Sequence, residues 1–339
     1  MIELTALFMG VAVWLYCLLG GADFGAGILE LFTPPEDRPR YRKIINKAIG
    51  AVWEANHVWL ILALVICFNA FPKAFARISI TFHIPVSLLL IGIVLRGCAF
   101  TFRHYDPFKD QSQIVYSRFF MLSSLLTPFS LGLTVGGMVL GRVHPDAPSF
   151  YQAYVAPWWN PFSFAMGLFV CALFTYLAAV YLVGETSDPD LKTQLVTRAK
   201  RWNFLAIPSG GGVILIGWFS GGELFARFLV NPLSLFCVAL ATLLIVPGWL
   251  ALNERATWIP RILAGAQFTL ILVGWYNEQF PYLLPPSPQF GFAGLGLYDS
   301  AAPDTVFPTL LIALGVGGVL IFPALFYLFR VFKIRSLFQ

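Results

Sequence analysis

Gly50-Ala-Val-Trp-Glu-Ala-Asn-His-Val-Trp-Leu-Ile61 decides how this chain is read, because it sets Glu54, Asn56 and His57 inside an apolar run that ends near Phe71. A carboxylate well inside a membrane segment costs about 2.5–3.5 kcal/mol on insertion scales, so it faces a partner, a cavity or an ion path. Working outward, the 339 residues are 58% hydrophobic and 12% charged, with a mean hydropathy of +0.76. A soluble domain of this length cannot bury so much apolar surface. The net charge of +5 then reflects loop residues beside a membrane, and nucleic acid is not implied. Met1-Ile-Glu-Leu4 lacks a basic leader segment, so the first apolar run reads as a retained helix. Cys17, Cys67, Cys98, Cys171 and Cys237 are scattered singly, which points to neither a disulfide framework nor a zinc site.

Apolar runs long enough to cross a core of about 30 Å fall at residues 4–31, 48–70, 78–102, 119–141, 161–183, 204–222, 233–252, 262–280 and 306–329. The expected fold is all-α: a polytopic transmembrane bundle of nine helices forming a single integral-membrane domain over residues 1–339. Basic residues set the orientation. Lys73, Arg77, Arg142 and Arg227 lie in even-numbered connections and Arg96 lies within a helix, while the rest of the 22 lie in odd-numbered connections or the C-terminal tail. That bias predicts a periplasmic N-terminus and a cytoplasmic C-terminus. Pro85, Pro128, Pro208, Pro247 and Pro323 predict kinks. Glycine pairs four residues apart (Gly21/Gly25, Gly132/Gly136, Gly137/Gly141, Gly217/Gly221) suit close helix packing. No internal repeat is evident, so an inverted-repeat transporter gains nothing from the pattern.

Depth arithmetic groups the polar residues. Asp23 lies ten residues before Thr33, about 15 Å from the cytoplasmic end, whereas Glu54 and Arg96 each lie seven residues from Lys47 and Arg103, about 10 Å in. Glu30 lies two turns from Asp23 on nearly the same face, and His57 lies one turn beyond Glu54. Glu30, Asp23, Glu54 and His57 thus form a ladder of titratable groups suited to a proton path. Against it stands a structural ion pair of Arg96 with Glu54 or Asp23, with Asn56 as an interhelical hydrogen bond. Metal binding is poorly supported. Glu54-Ala-Asn-His57 has di-iron spacing but no second copy, and His57 and His83 lie about 15 and 30 Å from the cytoplasmic end, too far apart to share a haem iron. His104 and His144 fall in loop regions.

Gly21-Ala-Asp-Phe-Gly-Ala-Gly-Ile-Leu29, Trp53-Glu-Ala-Asn-His-Val-Trp-Leu-Ile61 and Leu95-Arg-Gly97, in a chain of this length with nine expected helices, closely resemble subunit II of the cytochrome bd-type quinol oxidases. The Glu-Ala-Asn-His form is similar to the cyanide-insensitive branch. The resemblance implies a non-haem, multi-pass subunit of the bacterial cytoplasmic (inner) membrane. It would pair with a haem-bearing subunit I as a heterodimer, among membrane lipids and with small single-helix accessory subunits. The complex would oxidise quinol and reduce oxygen to water in a respiratory chain. By the same resemblance, b-type and d-type haems and the catalytic site belong to subunit I, no catalytic residue or metal is expected on this chain, and some members hold a structural quinone. By the resemblance, acids at the positions of Asp23 and Glu54 line a cytoplasmic proton path; the depth reading adds His57 and Glu30 as further steps and Arg96 and Asn56 in support. Trp59 matches a tryptophan near an oxygen route.

Glu54 stands where many members have Asp, and Gly20 stands where many have another acid. Tyr298-Asp-Ser-Ala-Ala-Pro303 replaces a more usual Asn-Ala-Ser-Ser stretch. The alternative from another class is a proton-coupled secondary transporter using Asp23, Glu54 and Arg96.

Overall fold

The stretch around Glu54 does not continue one helix, because the chain breaks between Ile49 and Trp53. Upstream, α3 (Arg38–Ile49) is amphipathic: Tyr41, Ile44, Ile45 and Ile49 are buried at helical spacing while Arg40, Lys43 and Lys47 face out. Downstream, α4 (Trp53–Ala70) starts on Val52 without a side-chain cap and carries Glu54 in its first turn, where the helix dipole favours an anion. The second span therefore begins at Trp53, five residues later than expected.

The computed structural model describes residues 1–50, 52–105, 111–220 and 227–331, which leaves Lys109, Gly221, Lys333 and Arg335 outside the described residues. The first span comprises α1 (Ile2–Leu15), a π-helical turn (Tyr16–Gly20) and α2 (Gly21–Leu31). After α4 come α5 (Pro72–Thr81), α6 (His83–Tyr105), α7 (Ser112–Leu140), a short α8 (Phe150–Tyr154), α9 (Pro161–Val183) and α10 (Pro189–Phe219). Then follow α11 (Pro232–Leu243), α12 (Ile245–Asn253), α13 (Trp258–Gln279) and α14 (Val306–Phe329). Among the described residues nine segments are long and apolar enough to cross a membrane. The third begins at His83 and not Ile78, because α5 forms a separate helix. Pro247 splits the seventh at Leu244: a proline cannot donate to the carbonyl four residues back, and the chain restarts as α12. Pro128, Pro208 and Pro323 lie inside helices, whereas Pro85 occupies the first turn of α6, where no donor is missed. Asp188 caps α10 by accepting from Asp190 and Leu191 amides. An Arg40 hydrogen bond of 2.5 Å, ahead of those amides, holds its carboxyl below the usual carboxylate range.

The core centres on α9, whose span is 72% buried, with α2, α7 and α10 packed around it. α14 is the opposite extreme, with Phe307 buried near its start and most of its later residues exposed. Small residues make the central contacts close. A Cβ on Gly25 would lie 1.9 Å from the Phe174 main-chain oxygen, and one on Gly132 would lie 2.4 Å from Gly167 Cα. Backbone cannot retreat as a side chain can. Gly25→Ala is therefore expected to cost about 1–3 kcal/mol or more, read as a lower melting temperature of the purified chain in detergent, while Ala at open Gly265 should leave it unchanged. At one end of the bundle a small antiparallel pair, β1 (Tyr282–Leu284) and β2 (Leu295–Gly296), packs against α5 and α7. Gly141 ends α7 at φ +61°, against the Pro285 main-chain oxygen, in a conformation an L side chain rarely adopts. The Tyr298 stretch joins this end to the first span: the Tyr298 hydroxyl donates to Glu3 at 2.7 Å, and the Ala302 amide donates to Ala70 O at 2.9 Å.

Candidate functional site

Two pairs of residues, each pair seven positions apart, organise the polar interior. Asp23 and Glu30 lie on α2, Arg96 and Arg103 on α6, and the same separation of 73 positions relates each arginine to its acid. Seven residues are nearly two helical turns, so the two parallel helices present two rungs on facing stripes.

At the first rung, Asp23 is 5% exposed and its Oδ2 accepts from Asn56 Nδ2 at 2.7 Å. Arg96, 1% exposed, donates from Nη2 to the Asp23 main-chain oxygen at 3.0 Å and lies over the rings of Phe24 and Phe120, 4.9 and 5.3 Å from their centroids. Expected depths that differed by about 5 Å thus become a contact among α2, α4 and α6. Around it, Tyr16 Oη, His57 Nδ1 and Arg96 Nε are buried polar atoms without a hydrogen-bond partner among the described residues. Tyr16 comes from the π-helical turn, and its ring centroid lies 6.1 Å from that of His57. Buried polar atoms of this kind are what ordered water or a mobile proton is held by.

At the second rung, fully buried Glu30 accepts from Arg103 Nη1 at 2.9 and 3.2 Å and from Arg42 Nε at 3.2 Å. Arg103 also donates to Asn46 Oδ1 at 2.7 Å, which ties α6 to α3. Phe120 of α7 stands between the rungs, its ring 4.2 Å from the Arg103 guanidinium carbon. One carboxylate here meets two guanidiniums, so Glu30 is placed as a lock between α2, α3 and α6. Sequence reasoning assigns no role to Arg42, Asn46, Phe120 or Tyr16, and it uses Arg103 only as the end of a span; the matched heptad spacing of acids and arginines is the signal that could have found it.

Glu54 is not part of either rung. It is exposed, and among the described residues it makes no salt bridge. The cause is azimuth: Glu54 and Asn56 are two positions apart, about 200° around the helix, so Asn56 turning inward turns Glu54 outward. His57 sits half-buried among the rings of Tyr16, Phe24 and Trp53. His83, by contrast, has Nδ1 2.9 Å from Ile80 O and neighbours Phe150 and Tyr154, so the two histidines do not converge and do not fit a shared haem. His144 packs against Phe290, and the side chain of His104 lies outside the described residues. Trp59 is buried on α4 with its ring 5.9 Å from Phe322 of α14.

Comparison with known proteins decides the family. The model of the cytochrome bd terminal oxidase subunit II family matches residues 1–332. The chain belongs to that family. Among curated relatives of this subunit II chain, a cytochrome bd ubiquinol oxidase subunit 2 from Bacillus subtilis (strain 168) is 32% identical over 176 residues, 51% of this chain and 48% of the relative. Cytochrome bd-I ubiquinol oxidase subunit 2 from Escherichia coli (strain K12) is 25% identical over 183 residues, 53% of this chain and 48% of its own. The chain spans about half the length of the curated relatives it matches. A chain of the bd oxidase from Geobacillus thermodenitrificans has the same fold, with a TM-score of 0.80, 22% identity and 98% of each chain covered. With nine apolar spans, this subunit II chain is a multi-pass protein of the bacterial inner membrane.

Proposed function

We propose that the chain is the non-haem subunit II of a bd-type quinol oxidase, paired with a haem-bearing subunit I, with its C-terminus in the cytoplasm. One observation carries the partnership. Glu54, Val58, Ile61, Val65 and Phe68 are exposed at successive three- and four-residue steps on α4, so a carboxylate interrupts an apolar stripe and makes no salt bridge among the described residues. Lipid tails are a poor solvent for it, and a partner helix bearing a donor is a good one. α14, largely exposed beyond buried Phe307 and in contact with α1 and α4, extends the available surface. Family membership leaves the transporter reading without support.

Haems on the partner would supply the redox chemistry. This chain's part is to hold and pass protons: Asp23 Oδ2 is held by Asn56, Arg96 stabilises the charged carboxylate electrostatically, and Tyr16 and His57 present unpaired polar atoms beside it. Asn56 orients the carboxylate and does not itself titrate. Glu54, at a similar level on the outer face, would hand protons towards the subunit interface. Trp59 and Phe322 form the apolar wall that suits oxygen access.

Affinity purification of the full chain from its native membrane tests this reading. A co-isolated haem-bearing chain and quinol-dependent oxygen uptake are expected; a haem-free chain that moves solute in vesicles overturns it. Glu54→Arg is expected to reduce co-isolated haem on the order of tenfold, because an unpaired or repelled charge at an interface costs several kcal/mol, whereas Glu54→Gln retains assembly. Equal haem yield for both variants would remove Glu54 from the interface.

A further inference from the structure

α10 is longer than the membrane requires. Its 31 residues rise about 46 Å against a hydrocarbon core of about 30 Å. Its first turns are polar and its apolar part starts near Trp202, so Lys200 and Arg201 mark the level at which the helix enters hydrocarbon. α12 ends at that level, with Trp249 and Leu250 giving way to Asn253 and Arg255. Between them opens a cleft of about 360 Å³ whose polar lining includes Lys200, Arg201, Asn253 and Arg255. A second cleft of about 440 Å³ shares Lys200 and Arg201 and is otherwise lined by Phe204, Leu205 and Trp249. A cationic mouth thus runs directly into an apolar groove. Glu254, beside Arg255 in sequence, lines neither cleft.

The mouth is built, not merely populated. Arg255 stands at φ +56°, just past the end of α12, where the Ala256 amide closes the helix onto Ala251 O at 3.1 Å. Glycine takes that conformation freely and arginine does not. Arg255 nonetheless reaches across to α10, donating to Thr193 Oγ1 at 3.1 Å. Lys200 donates to Asn253 Oδ1 and lies 5.8 Å from the Trp249 ring centroid. Trp249 is fixed in turn by a 3.0 Å hydrogen bond to buried Asn203.

We propose that these clefts bind one anionic glycerophospholipid, its phosphate among Lys200, Arg201 and Arg255 and an acyl chain along Phe204, Leu205 and Trp249. Three cations without a lining acid favour a headgroup of net negative charge, whereas a zwitterionic headgroup brings its own cation into the same mouth. The apolar groove requires a tail, which a free anion lacks.

Native mass spectrometry of the full chain, purified with whatever subunits accompany it, delipidated and titrated with phosphatidylglycerol, tests the site. One saturable lipid is expected, bound roughly thirtyfold more weakly after Arg201→Gln with Arg255→Gly, from the loss of two cations. Arg255→Gly suits the backbone, so the melting temperature of the lipid-free chain is expected to hold or rise, which separates lost binding from misfolding. Unchanged affinity in the double variant overturns the proposal, as does equally tight binding of phosphatidylcholine. Displacement of the lipid by inorganic phosphate at equal concentration would make it a free-anion site and also overturn the assignment.

Discussion

Glu30→Gln is expected to destabilise the folded chain by about 3–5 kcal/mol, the usual cost of breaking a buried ion pair by removing one partner. Glu30 and the Arg103 side chain are almost wholly buried, and Glu30 is the carboxylate held by both Arg103 and Arg42. Neutralising it leaves the Arg103 charge in a site of low dielectric, with the Phe120 ring and Asn46 as remaining partners. Replacing both Glu30 and Arg103 by Met should cost far less than either single change, because no orphaned charge remains at that pair. Denaturant titration of the purified chain in mixed micelles measures both. A Glu30→Gln loss below about 1 kcal/mol would show that the rung does not lock the helices. Turnover per assembled, haem-loaded complex should change little with Glu30→Gln. A large fall in turnover at unchanged stability would return Glu30 to the proton path.

Asp23→Asn is expected to do the reverse: the complex assembles and turnover falls about ten- to hundredfold, the lower range for loss of a positioned proton carrier. Asparagine keeps the shape and can still accept from Asn56, so the loss isolates titration from packing. Asp23→Glu should recover part of the rate. Anaerobic reduction of the haems by quinol should be unaffected, whereas proton uptake during oxygen reduction should slow in step with turnover. Full activity of Asp23→Asn in a fully haem-loaded complex would end the proton-path reading.

The contrast between Asp23 and Glu54 shows what could be read from the chain directly. Distance along a helix is linear in residue number, so Asp23, Glu54 and Arg96 are expected at similar depth; Asp23 and Arg96 do meet, and the α4 residue that joins them is Asn56. Direction around a helix depends on which face finds a neighbour. Asp23 and Glu54 were expected to share a path at similar depth, yet α4 turns Asn56 inward and Glu54 outward. That α3 ends at Ile49 and α4 begins at Trp53 was equally illegible, because an amphipathic helix followed by an apolar one reads as one long run when only hydropathy is followed. Arg103 was misplaced for a related reason. A basic residue near the end of an apolar run looks interfacial until a buried acid on another helix is found at its level.

Apolar run length and the scarcity of charge, which set the cost of leaving water, determined by themselves that this is a helical membrane chain, with nine spans among the described residues. The three motifs in the first spans were enough to indicate the subunit II family. Only the tertiary structure decided which polar residues answer one another: Asp23 with Asn56 and Arg96, Glu30 with two arginines, and Glu54 with no salt bridge among the described residues. Burial and hydrogen bonding are properties of facing surfaces, and those surfaces exist only once helices distant in sequence are packed side by side.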